Sequence, residues 1–242
     1  MKSYLSKFIR YVLPPTALAN FLGIRLFLRR TRKSYSQKGE DLIIDSYFRK
    51  SAVQKLRVEK GTYLDIGAWH PTAISNTALF SNKGWKGYVV DIDEYKLKFF
   101  RFKRGRSCKT ILGAVLPISQ GEVPVYRFGT PGSWSDIDTL SKDFADFAVN
   151  NWGQSGYWIE KIQSMGLNEL LERLPHINFL NIDIEGIDFS IVLELDLKRF
   201  PIDVVLYEDN TGERFDEIHY KFKEAGYKLI LNCHGAVAFG RI

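Results

Sequence analysis

From residue 62 onward, short β-branched apolar runs alternate with stretches of helical periodicity. That alternation is the signature of consecutive βαβ units and predicts an α/β domain built on a mostly parallel sheet. The runs predict strands at 63–66, at 88–90, at 110–112 continuing through 114–115, at 179–182 and at 204–207. They read as apolar on both faces, as a strand covered by helices on either side must. Residues 189–200 carry a helical pattern that stops at Pro201. Phe215, Ile218, Phe222 and Ala225 keep helical spacing until Gly226 closes the helix. Two last apolar runs, 227–231 and 236–239, flank Asn232-Cys233-His234-Gly235 and predict a terminal antiparallel hairpin. A chain of 242 residues can bury one sizeable core of this kind.

One stretch breaks the rhythm. Residues 129–156 are long, polar and rich in Gly, Ser and Trp, with a helical patch in the middle. Such insertions in compact domains are often lids or substrate loops. Trp134 and Trp152, flanked by small residues, suit stacking on a flat ligand face or simply cover the core.

The first 34 residues form a separate basic amphipathic arm, leaving 35–242 as the domain. Nine of the 34 basic residues precede the first acid, Glu40, which leaves 25 against 28 acids in the rest. The net charge of +6 therefore belongs to the arm, and the body is slightly acidic. Phosphate binding needs clustered basic residues, and a body of this nearly neutral charge argues against it, so no nucleic-acid partner is expected. The arm's apolar run of residues 21–28 is interrupted by Arg25 and falls well short of the ~20 residues that span a bilayer. Two uses are open: contact with an anionic membrane surface, or packing against the domain or a second subunit in a homo-oligomer. Cys108 and Cys233 are too few for a disulfide framework, which fits a reducing, cytoplasmic setting, at the inner membrane face if the arm binds lipid.

The chemistry-bearing residues fall at predicted strand ends. The segment Tyr63-Leu64-Asp65-Ile66-Gly67-Ala68-Trp69-His70-Pro71 runs from a strand into a small-residue turn. In an open α/β sheet that turn borders the ligand crevice. Gly67 lets backbone approach a ligand, Ala68 keeps the turn narrow, and Asp65 receives a cationic amine or orients the turn. The phosphate-cradling pattern of a dinucleotide site is absent, since only one glycine is present. Asp91 ends the second strand, where an acid can accept both hydroxyls of a ribose; Asp93 and Glu94 either take that role instead or cap the next helix.

In order and spacing, Ser36-Gln37-Lys38-Gly39-Glu40-Asp41, the Asp65-Ile66-Gly67-Ala68 turn with His70-Pro71, Ser75-Asn76-Thr77, Gly84-Trp85-Lys86-Gly87, Asp91 and Asp183-Ile184-Glu185-Gly186 resemble the FkbM methyltransferases. The resemblance covers residues 35 to 242. It implies the class I methyltransferase fold: a Rossmann-like sheet, helices on both faces, and a final antiparallel strand. It also implies S-adenosyl-L-methionine as donor and O-methylation, often of sugars. On that analogy Asp65, Gly67 and Ala68 line the methionine end, Asp91 holds the ribose, and the Gly113-Ala114 backbone lies near the adenine. Gln37 and Asp41 close over the donor, and Asn76 belongs to the same donor set. Trp69 stands where the family commonly has a smaller polar residue.

The acceptor side follows from the other strand ends. Asp183 and Glu185 follow the fourth strand; Glu208, Asp209 and Asn210 follow the fifth. Parallel strands bring them to the rim that carries Asp65. One use is a divalent cation such as Mg²⁺ on Asp183, Glu208 and Asp209, clamping vicinal hydroxyls. Another is hydrogen bonding to hydroxyls with one carboxylate as general base; a third is that Glu185 and Asp209 cap helices. Asp183, His70 and Glu208 are the candidate bases, while His176, His219 and His234 read as structural. The expected activity is methylation of a hydroxyl on a sugar, glycan or glycolipid. A non-sugar small molecule, or a silent membrane-associated adaptor on the same fold, are the alternatives.

Overall fold

The computed structural model describes residues 34–50, 59–130, 133, 135, 137–209, 212, 214–233 and 235–242. The basic arm up to residue 33, Trp134, Asn210 and His234 lie outside the described residues.

Among the described residues the main sheet has seven strands in the order β3-β2-β1-β7-β8-β10-β9. Its members are β1 (Thr62–Ile66), β2 (Lys86–Asp91), β3 (Cys108–Leu112), β7 (Phe179–Ile182), β8 (Val204–Glu208), β9 (Tyr227–Cys233) and β10 (Ala236–Arg241). β1 pairs in parallel with both β2 and β7, while β10 runs antiparallel between β8 and β9. A chain that fills one side of β1 and then restarts on the other leaves a crevice between β1 and β7, at their carboxyl ends.

The alternation of side chains divides the core into two layers. Leu64, Ile66, Val90, Leu180, Ile182, Val205 and Phe239 face one side. There they meet α5 (Leu167–Glu172), α6 (Asp188–Glu194) and α7 (Phe215–Glu224) through residues such as Leu171, Ile191 and Phe222. Tyr63, Val89, Phe179, Val204 and Ala238 face the other, against α1 (Glu40–Lys50), α2 (Ala78–Asn82) and α3 (Glu94–Arg104). Helix α2 has only five residues, too few to be stable alone. Its anchor is Phe80, fully buried between Trp85 and Phe179 at ring distances of 4.9 and 5.0 Å. Burial of that ring contributes about 1.5–3 kcal/mol.

Two sequence expectations are corrected. The third strand does not continue through 114–115: it stops at Leu112, and Gly113, at φ +155°, redirects the chain. Ala114–Leu116 (β4) then joins a second sheet of order β4-β6-β5, with β5 Glu122–Phe128 and β6 Tyr157–Gly166. The β5–β6 pair is antiparallel and flanks the 129–156 insertion, so that insertion is the elaborated end of a hairpin containing α4 (Lys142–Trp152). The helix predicted over 189–200 spans only Asp188–Glu194. Leu195 and Leu197 are both buried, a spacing of two that extended backbone satisfies and a helix does not. Among the described residues, no helix is long and apolar enough to cross a membrane.

Candidate active site

The turn after β1 can hold only glycine at residue 67. Its φ is +79°, and a β-carbon there would stand 1.7 Å from the carbonyl oxygen of Asp183. Gly67 and Ala68 both donate to the Val90 carbonyl, at 3.0 and 3.4 Å, and the Asp183 amide donates to Ile66 at 3.0 Å. The ends of β1, β2 and β7 are thus stitched into one rim.

Asp65 lies beneath that rim and takes the orienting role. Its Oδ1 accepts from Asn181 Nδ2 at 2.8 Å, its Oδ2 accepts from the Thr77 hydroxyl, and Arg104 Nη1 stands 3.9 Å away. Burial raises its pKa against the opposing pull of Arg104, Thr77 and Asn181. Asn181 also accepts from Asn76 Nδ2 at 3.0 Å, so Asn76, Asn181 and Asp65 form one relay. The sequence reading passed over Asn181. A polar residue inside an apolar central strand was the signal, because a buried amide requires partners.

A cleft of about 250 Å³ opens above the rim. Gly67, Asp91, Gly113, Asp183 and Glu208, from the ends of five strands, all line it. Asp91 is buried, and its Oδ1 accepts from the Asp93 amide at 2.7 Å. Burial, opposed by Lys96 and that amide, pushes its pKa up to about 6. Asp93 is used as a cap: its carboxylate accepts from Tyr95 and Lys96 at the start of α3. Beyond Asp91, the walls are Val90, Ile92, Val115, Ile137 and Leu140, an apolar slot of the kind a planar base fills. Gly113 and Val115 form the wall on either side of Ala114, whose own side chain is buried in a satellite core.

The insertion supplies part of this slot. Thr139 exchanges backbone bonds with Tyr126 at 2.8 and 3.1 Å, and its hydroxyl donates to the Glu185 carbonyl at 2.7 Å. Ile137 and Leu140 are thereby pinned over the cleft. Trp152, by contrast, sits half exposed against Phe144 and Phe147 of α4.

After β7 and β8, Asp183, Glu185 and Glu208 each present a carboxylate oxygen within 4.8 Å of the others. Glu185 reaches this position with a left-handed φ of 54°, followed by Gly186 at 97°. A non-glycine residue in that region is uncommon and is found where function constrains the backbone. Asp183 is held well above the usual carboxylate range by burial, then by Glu208, Asp188 and Glu185. Asp188 below it accepts from the Ile184 amide at 3.0 Å, and burial followed by Glu208 raises it to about 7. Such an all-oxygen group fits a hard divalent cation. Asp209 is not in it; its Oδ1 accepts from the Gly212 amide at 2.6 Å, and Glu185 takes its place.

Two further predicted residues have other employment. His70 is buried, and its Nδ1 accepts from the Thr72 and Ala73 amides at 3.1 and 2.8 Å. The imidazole therefore carries its proton on Nε2, and burial together with Arg104 and Lys103 pushes its pKa down to about 4. His70 is thus used as a cap at the loop start, its Nδ1 taken by two backbone amides, and it does not line the cleft. Asp41 is fully buried and does not line the cleft. It accepts from the Ser34 and Ser36 hydroxyls at 2.7 and 2.9 Å and from the Tyr35 amide at 2.7 Å. It thus holds the segment that carries Gln37, which does line the cleft.

A sheet of this strand order, with a buried acid at the end of its second strand and a glycine turn at the switch point, is that of the class I S-adenosylmethionine-dependent methyltransferases. Residues 65–229 match the family model described as the methyltransferase FkbM domain, and the chain belongs to that family. Among solved structures, the chain is similar to a precorrin-6y C5,15-methyltransferase from Geobacter metallireducens at 13% identity and TM-score 0.45, covering 87% of this chain and 94% of that one. It is also similar to a TehB-like SAM-dependent methyltransferase from Corynebacterium glutamicum at 10% identity and TM-score 0.40, covering 95% and 100%. No curated protein sequence matches the chain.

Proposed function

We propose that this methyltransferase acts on a hydroxyl oxygen of a sugar-like acceptor, in a glycan or glycolipid. The observation that carries the reading is the group of three acids, Asp183, Glu185 and Glu208, at the reactive end of the cleft. Beside them Gln37, Asn76 and Asn181 line a recess of about 50 Å³. Carboxylates and amides suit several hydroxyls on one face of a small molecule.

S-adenosylmethionine, when bound, supplies a methyl group on a positively charged sulfur that leaves readily. The chain's own work is alignment and proton removal. Asp91 accepts the ribose hydroxyls, the Ile92, Ile137 and Leu140 walls hold the base, and the Gly67 turn gives the donor's methionine end close approach to the backbone. Asp183 or Glu208 takes the acceptor proton as oxygen bonds to carbon, since a free alcohol is a poor nucleophile. A divalent cation fits the same three acids and would supply a Lewis acid to lower the hydroxyl pKa. The basic arm would bring the enzyme to an anionic membrane surface bearing such acceptors.

The test uses S-adenosylmethionine labelled in the methyl group and extracted saccharide and glycolipid fractions. Label that stays on the product through mild alkali and runs with sugar methyl ethers supports the reading. Label released as methanol reports an ester, and label on nitrogen reports an amine; either result overturns the oxygen-ether assignment. Repeating the assay with magnesium and with a chelator separates the metal route from the metal-free one.

A further inference from the structure

Arg104 is the last residue of α3 and does not line the cleft, yet its side chain is only 3% exposed. A guanidinium has five N–H donors and keeps its charge. Burying one is costly unless the donors are matched. Here the five are used. Nε and Nη2 donate to the Pro71 carbonyl at 3.2 and 2.9 Å, and Nη2 also to the Ser75 hydroxyl at 2.9 Å. Nη1 donates to the Thr77 and Tyr63 hydroxyls, both at 2.9 Å. The plane lies 4.7 Å from the Phe100 ring centre and 5.4 Å from that of Tyr63.

Three of these acceptors belong to one loop, the stretch that joins the Gly67 turn to α2. That loop carries Asn76, which donates to Asn181, and Ile74, which is 54% exposed and lines the cleft. Ile74 has a φ of 49°, an outlying conformation for a β-branched residue. Such a conformation persists only where the surroundings enforce it. Arg104 grips the loop from the side of α3, and the Tyr35 carbonyl grips it from the other, accepting from the Ser75 amide at 3.0 Å.

We infer that Arg104 is a positioning residue for donor binding: its clamp on Pro71, Ser75 and Thr77 holds Ile74 against the cleft and Asn76 against the recess beside it. Through the Thr77 hydroxyl, which donates to Asp65, it also holds the β1 turn. The inference rests on the cleft being the donor site. Binding of S-adenosylhomocysteine to the unaltered chain tests that premise separately.

The experiment compares the full chain with Arg104→Lys, which keeps the charge but offers three donors from one point. Affinity for S-adenosylhomocysteine is read by calorimetry, and amide exchange is read across the chain. The expected result is an affinity loss of about tenfold or more, the scale of misplaced binding groups. Faster exchange should accompany it at Thr72, Ala73 and Ser75, with strands β7 and β8 unchanged. Unchanged affinity overturns the inference. So does an affinity loss accompanied by faster exchange everywhere, which is what a merely structural arginine produces. If Arg104→Lys does not fold, Ser75→Ala, which removes the hydroxyl that accepts from Nη2 together with its long 3.5 Å contact to the Thr77 hydroxyl, is judged by the same two readouts with an expected loss of roughly threefold.

Discussion

Gly67 and Asp183 are in such close contact that the carbonyl oxygen of one occupies the space a β-carbon on the other would need, 1.7 Å away. The Gly67 turn and the strand end that carries Asp183 are therefore packed backbone against backbone, where β1 and β7 lie side by side. Gly67→Ala adds both a clash and an unfavourable left-handed backbone. We expect a stability loss of roughly 1–3 kcal/mol from the backbone strain alone. S-adenosylhomocysteine affinity should fall by about 100-fold or more. Thermal melting and calorimetry check the two separately. A variant that melts lower yet binds normally would show that the turn does not touch the donor.

Asp91 sets a pH limit on donor binding. Burial pushes its pKa up to about 6, and in the proposed function its ionised form is the one that accepts the ribose hydroxyls. Affinity should then fall as pH drops through 6, approaching tenfold per unit below it. The stability of the free protein moves the other way. A carboxyl raised in the folded state binds more protons folded than unfolded, so its contribution falls as pH rises from about 4 to 6. Calorimetry across pH 4.5–8 checks this, and Asp91→Asn should flatten the dependence while weakening binding.

His70 should be replaceable. Asn at this position offers an oxygen to the Thr72 and Ala73 amides that now bond to Nδ1. His70→Asn is expected to keep turnover within about tenfold, against the 10²–10⁴ lost with a general base. Nuclear magnetic resonance titration should find the ring neutral down to about pH 4, its protonation opposed by burial, Arg104 and Lys103.

The acids at the reactive end should separate by role. If Asp183 is the base of the two proposed, Asp183→Asn lowers turnover by about 10²–10⁴ with donor affinity nearly unchanged, because it leaves the ribose end intact. If magnesium stimulates the enzyme, Glu185→Gln should abolish that stimulation and Asp209→Asn should not, since only Glu185 belongs to the carboxylate group. Stimulation lost with Asp209 and kept without Glu185 would reverse that assignment. Initial rates with and without chelator provide the measurement.

The strands that carry the site were legible because both of their faces are covered. The predicted strand at 179–182 and the observed Phe179–Ile182 coincide, since unbroken burial demands an unbroken apolar run. β6, Tyr157–Gly166, was not legible, because only one of its ten residues is buried and its partners come from β4 and β5 rather than from the main sheet. Among site residues, Asp91 and Gly67 could be read from position at a strand end. Arg104 and Asn181 could not be joined to them, for their partners lie 27 to 116 residues away along the chain.

The sequence by itself determined the alternating sheet, the terminal hairpin and the acids at strand ends, because periodicity and strand-end position are local properties of a chain. Only the tertiary structure decided which acid does what. It withdrew His70 and Asp41 into hydrogen bonds with nearby backbone and hydroxyl groups, and it exchanged Asp209 for Glu185. It also set Asp65 to orient the turn through Asn181 and Thr77. A carboxylate's role depends on which donors and charges surround it in space, and those arrive from distant parts of the chain only when the sheet has closed.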